Sequence, residues 1–142
     1  MNEVLQQKIA ETLAHIYPEK DEQEQFDDVV FDLAEQLAEL TGNENIASKI
    51  YEHSDRNVQK LSILFDILIW STPDNGAELL RETKEWFLQN DPDKLELVLH
   101  ITNVYPYQPA GALEKRLLEI RSDFPSLKKP CDYWLESIRQ KL

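Results

Sequence analysis

Residues 61–70 read LSILFDILIW, which is the longest nearly continuous apolar stretch in the chain. Only Ser62 and Asp66 interrupt it. Its apolar side chains point in almost every direction around a helix axis, so we expect a central, buried helix that starts near Asp55. The stretch is about half the length needed to span a bilayer and therefore predicts a core helix rather than a membrane segment.

Seven further helical segments, and no strand, can be read around this helix. Apolar residues recur at helical spacing, and Pro, Gly or capping residues separate the segments. Asp91 followed by Pro92 is typical of an N-cap and a first helical position, and Gly42 suits a C-terminal cap. The predicted segments cover about residues 2–17, 22–40, 45–53, 77–89, 92–105, 112–122 and 130–142.

The chain has 142 residues, the length of one ordinary domain. Its connections are short, so neighbouring helices should lie antiparallel. We therefore predict an all-α protein, a single-domain bundle of about eight helices over residues 1–142. A short HEAT-like stack of helical hairpins is an alternative, because Lys60-Leu61 and Lys94-Leu95 each open an apolar helix, 34 residues apart.

Negative charge is concentrated in one part of the sequence. The net charge is −12, and residues 18–44 contribute −9 of it, with ten acids and the single base Lys20. This balance argues against nucleic acid or an anionic membrane as a direct partner, because phosphate binding needs a basic surface. It favours a basic protein partner, or simply keeps the protein in solution.

The stretch DEQEQFDDVVFDLAEQLAE, residues 21–39, holds eight acids and no base. On one continuous helix its acids would form a stripe about 27 Å long within a wedge of about 80°. Like charges at this spacing cost about 1–2 kcal/mol in total, so a helix selected for stability alone would include lysines. A solvated face and a docking surface for a basic protein are the two main interpretations. The stripe consists of Asp21, Glu24, Asp28, Asp32, Glu35 and Glu39.

Catalytic and metal-binding motifs are missing. HExxH, the repeated Glu-x-x-His of di-iron bundles, the calcium-loop spacing and a phosphate-binding Gly loop are all absent. Glu11/His15 and Glu96/His100 are interpreted as ordinary helix-face pairs, and the single Cys131 as a small apolar filler. We predict no catalytic residue, metal or cofactor. An enzyme is the alternative, and a deep pocket that holds His53 or His100 beside a carboxylate would favour it.

The aromatic residues fall into two groups. Trp70, Trp86 and Trp134 lie at helical positions and are expected in the core. Tyr105 and Tyr107 lie in the loop sequence VYPYQP, where tyrosines either pack the loop down or form a recognition surface.

From residues 21–39 and the overall composition, the chain resembles the small acidic immunity proteins of bacterial toxin–immunity pairs, including contact-dependent inhibition systems. The resemblance is one of type and implies a non-enzymatic protein that covers the basic surface of a toxin nuclease. A HEAT-like adaptor and an acidic antagonist of a nucleic-acid-binding protein are the alternatives. The predicted partner-binding residues are Glu24, Asp28, Asp32, Glu35, Glu39, Tyr105 and Tyr107.

We also expect a cytosolic protein. The N-terminal sequence MNEVLQQKIAETLAHIY lacks the cationic start and apolar core of a signal peptide. A single cysteine cannot form an intramolecular disulfide, which fits a reducing compartment.

Overall fold

The computed structural model describes residues 2–101, 106, 107 and 109–140. These residues contain eight α-helices, two short 3₁₀ helices at Glu22–Glu24 and Pro125–Leu127, and no strand beyond an isolated bridge between Ile16 and Phe26. The prediction of an all-α protein is therefore confirmed. The α-helices are α1 (Asn2–Leu13), α2 (Val29–Thr41), α3 (Ile46–Glu52), α4 (Val58–Ser71), α5 (Ala77–Phe87), α6 (Pro92–Leu99), α7 (Ala110–Asp123) and α8 (Lys128–Gln140).

Two compact units divide the chain, Met1–Thr83 and Lys84–Leu142, with the boundary inside α5. The single domain over residues 1–142 and the HEAT-like stack therefore stay predictions.

The two Lys-Leu pairs do share a local feature. The Asn57 side chain accepts the Lys60 N–H at the start of α4, and the Asp91 side chain accepts the Lys94 N–H at the start of α6.

In the first unit, α4 has more buried residues than any other helix. Seven of its residues are buried, and it packs against α1 and α2. The helix ends at Ser71 because Thr72 precedes Pro73, and a residue before proline is driven into the extended conformation that Thr72 adopts. Gly76 follows with a φ of +79°, and a Cβ there would lie 2.8 Å from the Ile69 Cα, so only glycine fits this close turn.

The second unit is built from α6, α7 and α8, with α8 packed against the other two. The Trp134 indole is buried and donates a hydrogen bond of 2.8 Å to the Leu99 carbonyl. Cys131, three residues before Trp134, is fully buried. Burial raises the pKa of the Cys131 thiol to about 11, so the thiol stays protonated and unreactive. Helix α6 ends at Leu99, earlier than the predicted Tyr105.

The segment between α1 and α2 differs most from the prediction. Helix α1 ends at Leu13 rather than Tyr17, and α2 begins at Val29 rather than Glu22. The Asp27 carboxylate accepts a hydrogen bond from the Tyr17 hydroxyl at 2.8 Å and lies 2.9 Å from His15 Nδ1. These bonds close a loop that replaces the first part of the predicted long helix, so the acids of residues 21–39 do not all lie on one helix face, where like charges would repel.

A buried carboxylate caps α3 from a distant position in the chain. Glu82 on α5 is only 2% exposed, and its oxygens accept the Ala47 N–H at 2.7 Å, the Ser48 N–H at 3.0 Å and the Ser48 hydroxyl at 2.7 Å. One turn earlier, Glu78 accepts the Asn45 N–H at 2.8 Å. Since Asn45 has a φ of 49° and its side chain caps nothing, α5 supplies the N-terminal cap that α3 lacks.

Asp74 extends this arrangement to the turn after α2. Its carboxylate accepts the Gly76 and Glu78 N–H groups and a side-chain hydrogen bond from Asn43. Burial works to raise the pKa of Asp74, but these hydrogen bonds outweigh it and lower the pKa. We name Asp74, Glu78 and Glu82 the carboxylate clamp, because together they hold residues 43–48.

Removal of the buried clamp carboxylate should destabilise the protein. We expect Glu82→Ala to lower the free energy of unfolding by about 3 kcal/mol, because three donors lose their acceptor inside the protein. Glu82→Gln keeps one acceptor oxygen and should cost about 1–2 kcal/mol. Urea denaturation measures both. The control is Glu52→Ala at an exposed position of the same unit, and a Glu82→Ala loss no larger than the control's would contradict the cap.

The clamp also predicts a pH dependence. The Arg81 guanidinium and the Asn45 N–H lower the pKa of Glu78 from 4.5 to about 2. Because the folded-state pKa is the lower one, this carboxylate stabilises the protein fully above pH 4.5, and the effect is lost as the pH falls toward 2. Glu78→Gln should therefore flatten the decline of unfolding free energy over that interval in urea titrations, relative to Glu52→Gln. Identical slopes for the two variants would be inconsistent with this assignment.

Candidate functional site

Four predicted acids form one surface on α2. Asp28 is the residue before the helix, and Asp32, Glu35 and Glu39 follow at intervals of four, three and four residues. All four are exposed and fall within a wedge of about 60° on the helix, over about 17 Å of its length. We name this set the acidic ridge. It runs along the opposite side of α2 from the buried residues Leu33 and Leu37.

The ridge is shorter than the stripe predicted from the sequence. Glu24 lies in the separate 3₁₀ helix Glu22–Glu24, and Asp21 precedes it. Neither residue continues the line of α2, so the predicted 27 Å stripe is wrong. Glu24 remains exposed near the ridge in sequence but is not part of the same helix face.

Exposed apolar side chains flank the ridge. Val29, Phe31 and Leu40 on α2 are three of the eight large apolar residues that are exposed in the described part of the chain. Phe31 is 44% exposed and makes an edge-to-face contact with Phe26, with ring centroids 5.4 Å apart. Leu40 lies at the exposed edge of α2. Charged residues beside exposed apolar anchors are typical of protein-binding surfaces.

A groove lies beside the C-terminal half of the ridge, and we name it the α2–α4 groove. It has a volume of about 550 Å³ and is formed by the last turns of α2 and α4 and the residues that follow each helix. Glu35 and Glu39 of the ridge form one wall, and Trp70 forms part of the other. Its lining residues, none of them basic, are Glu35, Ala38, Glu39, Gly42, Asn43, Trp70, Ser71, Thr72 and Pro73.

Tight turns fix the end of the groove. Gly42 has a φ of 66°, and α2 ends in a Schellman motif, with the Asn43 N–H donating to Ala38 O and the Gly42 N–H to Glu39 O. Gly42 therefore confirms the predicted cap. Lys49 donates to the Thr41 carbonyl at 3.0 Å, so the nearby ammonium group is used at the helix terminus. Hydrogen bonds within the chain therefore hold this end of the groove.

Trp70 was predicted in the core, and this prediction is wrong. Its side chain is 71% exposed, whereas Trp86 and Trp134 are 4% and 3% exposed and confirm the prediction. The reason is a narrow outer stripe on α4 that includes the partly exposed Asp66 and, one turn later, Trp70. The spacing Asp66-x-x-x-Trp70 is a sequence signal from which this exposure could have been predicted.

Of the two predicted tyrosines, the structure describes Tyr107. Tyr105 lies outside the described residues. Tyr107 is half-buried in the second unit and stacks on Phe87, with ring centroids 6.1 Å apart and planes 28° apart. This contact favours the interpretation in which Tyr107 packs its loop down.

A separate cleft in the first unit bears on the enzyme alternative. It has a volume of about 370 Å³ between α1 and the turn after α3, and its lining includes His53, Asp55 and Lys60. These polar groups are used locally. Asp55 accepts the Asn57 N–H at 3.0 Å, Lys60 donates to the Leu13 carbonyl, and Ser54 donates to the Tyr51 carbonyl. The cleft therefore brings a histidine and a carboxylate together without an activated nucleophile among its lining residues.

The predicted histidine pairs are also different in the structure. His15 pairs with Asp27 beyond the end of α1, while Glu11 pairs with Lys8. His100 Nδ1 lies 2.7 Å from the Glu96 backbone oxygen rather than from its carboxylate. The described residues contain no group of three or more His, Cys, Asp or Glu side chains placed to hold a metal. None of the described helices combines the length and apolar character needed to cross a bilayer.

The acidic wall beside Trp70 predicts charge-dependent fluorescence quenching. Since Trp70 is the exposed tryptophan, Trp70→Phe should remove most of the emission that neutral acrylamide quenches. With each quenching constant divided by its value for free acetyl-tryptophan-amide, caesium ions should quench Trp70 more efficiently than iodide, because the carboxylates attract cations. The double variant Glu35→Gln/Glu39→Gln should reduce this difference, and Glu3→Gln/Glu52→Gln should not. Equal normalised quenching by the two ions in the native protein would contradict the proposed local potential.

Comparison of the chain with models of known protein families, with curated proteins and with solved structures gave no match. The features that bear on the function are therefore the ridge, its apolar flanks and the groove.

Proposed function

We propose that this chain is a non-enzymatic binding protein whose acidic ridge docks on a basic surface of another protein. The observation that carries the proposal is the composition of the outer half of α2. Four exposed carboxylates lie in one line, and exposed Val29, Phe31 and Leu40 accompany them on the same helix. Charge complementarity accelerates and orients the encounter, while apolar side chains supply much of the affinity.

Several features favour docking over a merely solvated face. A solvated helix gains nothing from a line of like charges, which cost about 0.2–0.5 kcal/mol for each neighbouring pair. Glu35 and Glu39 also lie in the last two turns of α2, where the helix dipole disfavours negative charge. The exposed Phe31 and Trp70 add apolar surface that water solvates poorly.

The class of partner follows from the resemblance to immunity proteins. A toxin nuclease needs a basic surface to hold RNA or DNA, and an acidic protein that covers this surface blocks substrate entry. In this function the ridge faces Lys and Arg residues of the nuclease. Rapid association matters because the toxin must be neutralised before it cuts nucleic acid, and long-range charge attraction raises the association rate.

Charge reversal with a matched control tests the docking surface. The ridge variant carries Asp28→Lys, Asp32→Lys, Glu35→Lys and Glu39→Lys. The control carries Glu3→Lys, Glu52→Lys, Asp123→Lys and Glu136→Lys at other exposed positions. Each set of four reversals adds eight charges and changes the net charge from −12 to −4. Both variants should keep the helical circular dichroism of the native chain, because the replaced side chains are exposed.

Affinity capture from lysate of the cells that produce the protein gives the readout. We expect a basic protein to be retained by the native chain and by the control variant, to be released by high salt, and to be lost with the ridge variant. If the captured protein cleaves RNA or DNA, the native chain should inhibit the cleavage. Retention of the same protein by a folded ridge variant would overturn the proposed surface.

A further inference from the structure

The α2–α4 groove has the chemistry of a site for one cationic side chain. Glu35 and Glu39 are one helical turn apart, which places their Cβ atoms about 6 Å from each other on one wall. Trp70 presents an indole that is 71% exposed on the other side. Carboxylates and an aromatic face are the two groups that attract a desolvated organic cation most strongly.

The ends of two helices add to this preference. The groove is lined by Gly42 and Asn43, which follow α2, and by Ser71 and Thr72, at the end of α4. The C-terminus of a helix carries a partial negative charge from its last carbonyl groups, so both termini favour a cation at this place. The Lys49 ammonium group, which donates to Thr41 O, is not among the lining residues.

The chain covers other aromatic rings with its own cations. Lys20 lies over Tyr17, Arg56 over Tyr51, and Lys94 over Trp86, at 4.4–5.1 Å from the ring centroids. In the described part of the chain, Trp70 has no such partner, although it is the most exposed large apolar side chain there. The ring is therefore available to a cation from another molecule.

The residues that line the groove also include an asparagine with a buried polar atom. Asn43 uses its side chain to hydrogen-bond Asp74, and its Oδ1 atom is buried without a hydrogen-bond partner. A buried acceptor without a donor costs about 1–3 kcal/mol. The lining of the groove therefore includes carboxylates and an asparagine and no basic side chain.

From these features we infer that the α2–α4 groove is an arginine subsite. One arginine of the basic partner stacks its guanidinium on Trp70 and donates hydrogen bonds to Glu35 and Glu39. Arginine suits the groove better than lysine, since its planar group stacks on an aromatic face and spans two acceptors at once. The inference deepens the proposed function and rests on it, because the arginine belongs to the docked protein.

Nuclear magnetic resonance titration of the full chain tests the subsite without any partner. The probes are acetyl-arginine-amide and its neutral isostere acetyl-citrulline-amide, added at constant ionic strength. We expect the Trp70 indole N–H signal, assigned with Trp70→Phe, to shift saturably with the arginine probe. The citrulline probe should bind at least tenfold more weakly, and acetyl-lysine-amide several-fold more weakly.

Variants within the ridge provide a matched control. Glu35→Gln/Glu39→Gln removes the groove carboxylates and should weaken the arginine probe at least tenfold. Asp28→Asn/Asp32→Asn removes two ridge charges outside the groove and should change the affinity less than threefold. Equal shifts with arginine and citrulline, or equal losses in the two double variants, would overturn the subsite.

The outcome is separable from that of the proposed function. Loss of partner capture in the ridge variant together with no arginine binding would overturn the subsite alone. Saturable arginine binding together with unchanged partner capture by the ridge variant would overturn the docking surface while the groove retained its affinity for guanidinium.

Discussion

The hydrogen bonds that Glu82 accepts from the start of α3 are the constraint on which the first unit depends. Helix α3 connects α2 to α4 and has only seven residues, so it cannot form by its own propensity. Its first amide groups have no local cap, because Asn45 adopts a left-handed conformation and its side chain accepts no hydrogen bond from them. A buried carboxylate satisfies them instead, and Glu78 and Asp74 continue the same clamp toward the end of α2.

This clamp joins the fold to the candidate site. Asn43 is bonded to Asp74 and also lines the α2–α4 groove, so the turn that the clamp holds is itself one wall. Hydrogen bonds to Asp74 hold this wall, and a preorganised site spends less binding free energy on ordering. The acidic ridge, in contrast, is presented by a regular helix whose opposite face is buried in the core. The acidic ridge and the α2–α4 groove are thus neighbouring parts of one surface.

The sequence predicted the helices well and the boundaries of the acidic segment poorly. The apolar spacing, Gly42 and the Asp91-Pro92 pair identified α2, α4 and α6 because these are local signals. The break before Val29 depends on the bonds of Asp27 to His15 and Tyr17, which link positions at least ten residues apart and leave no periodic signal. The cap from Glu82 spans 34 or more residues and is invisible to local reasoning for the same reason. Four ridge acids could be predicted from helical spacing, but Trp70 was missed because an almost wholly apolar helix hid its one outer stripe.

Carboxyl footprinting of the chain, free and in complex with the basic protein recovered from lysate, tests most directly whether the acidic ridge is the docking surface. Carbodiimide coupling labels exposed Asp and Glu side chains, and mass spectrometry reports the labelling at each of the 27 acids. We expect Asp28, Asp32, Glu35 and Glu39 to lose most of their labelling in the complex, while exposed acids on α7 and α8 keep theirs. Unchanged labelling of the ridge, with protection at another surface, would contradict the assignment of the ridge as the docking surface.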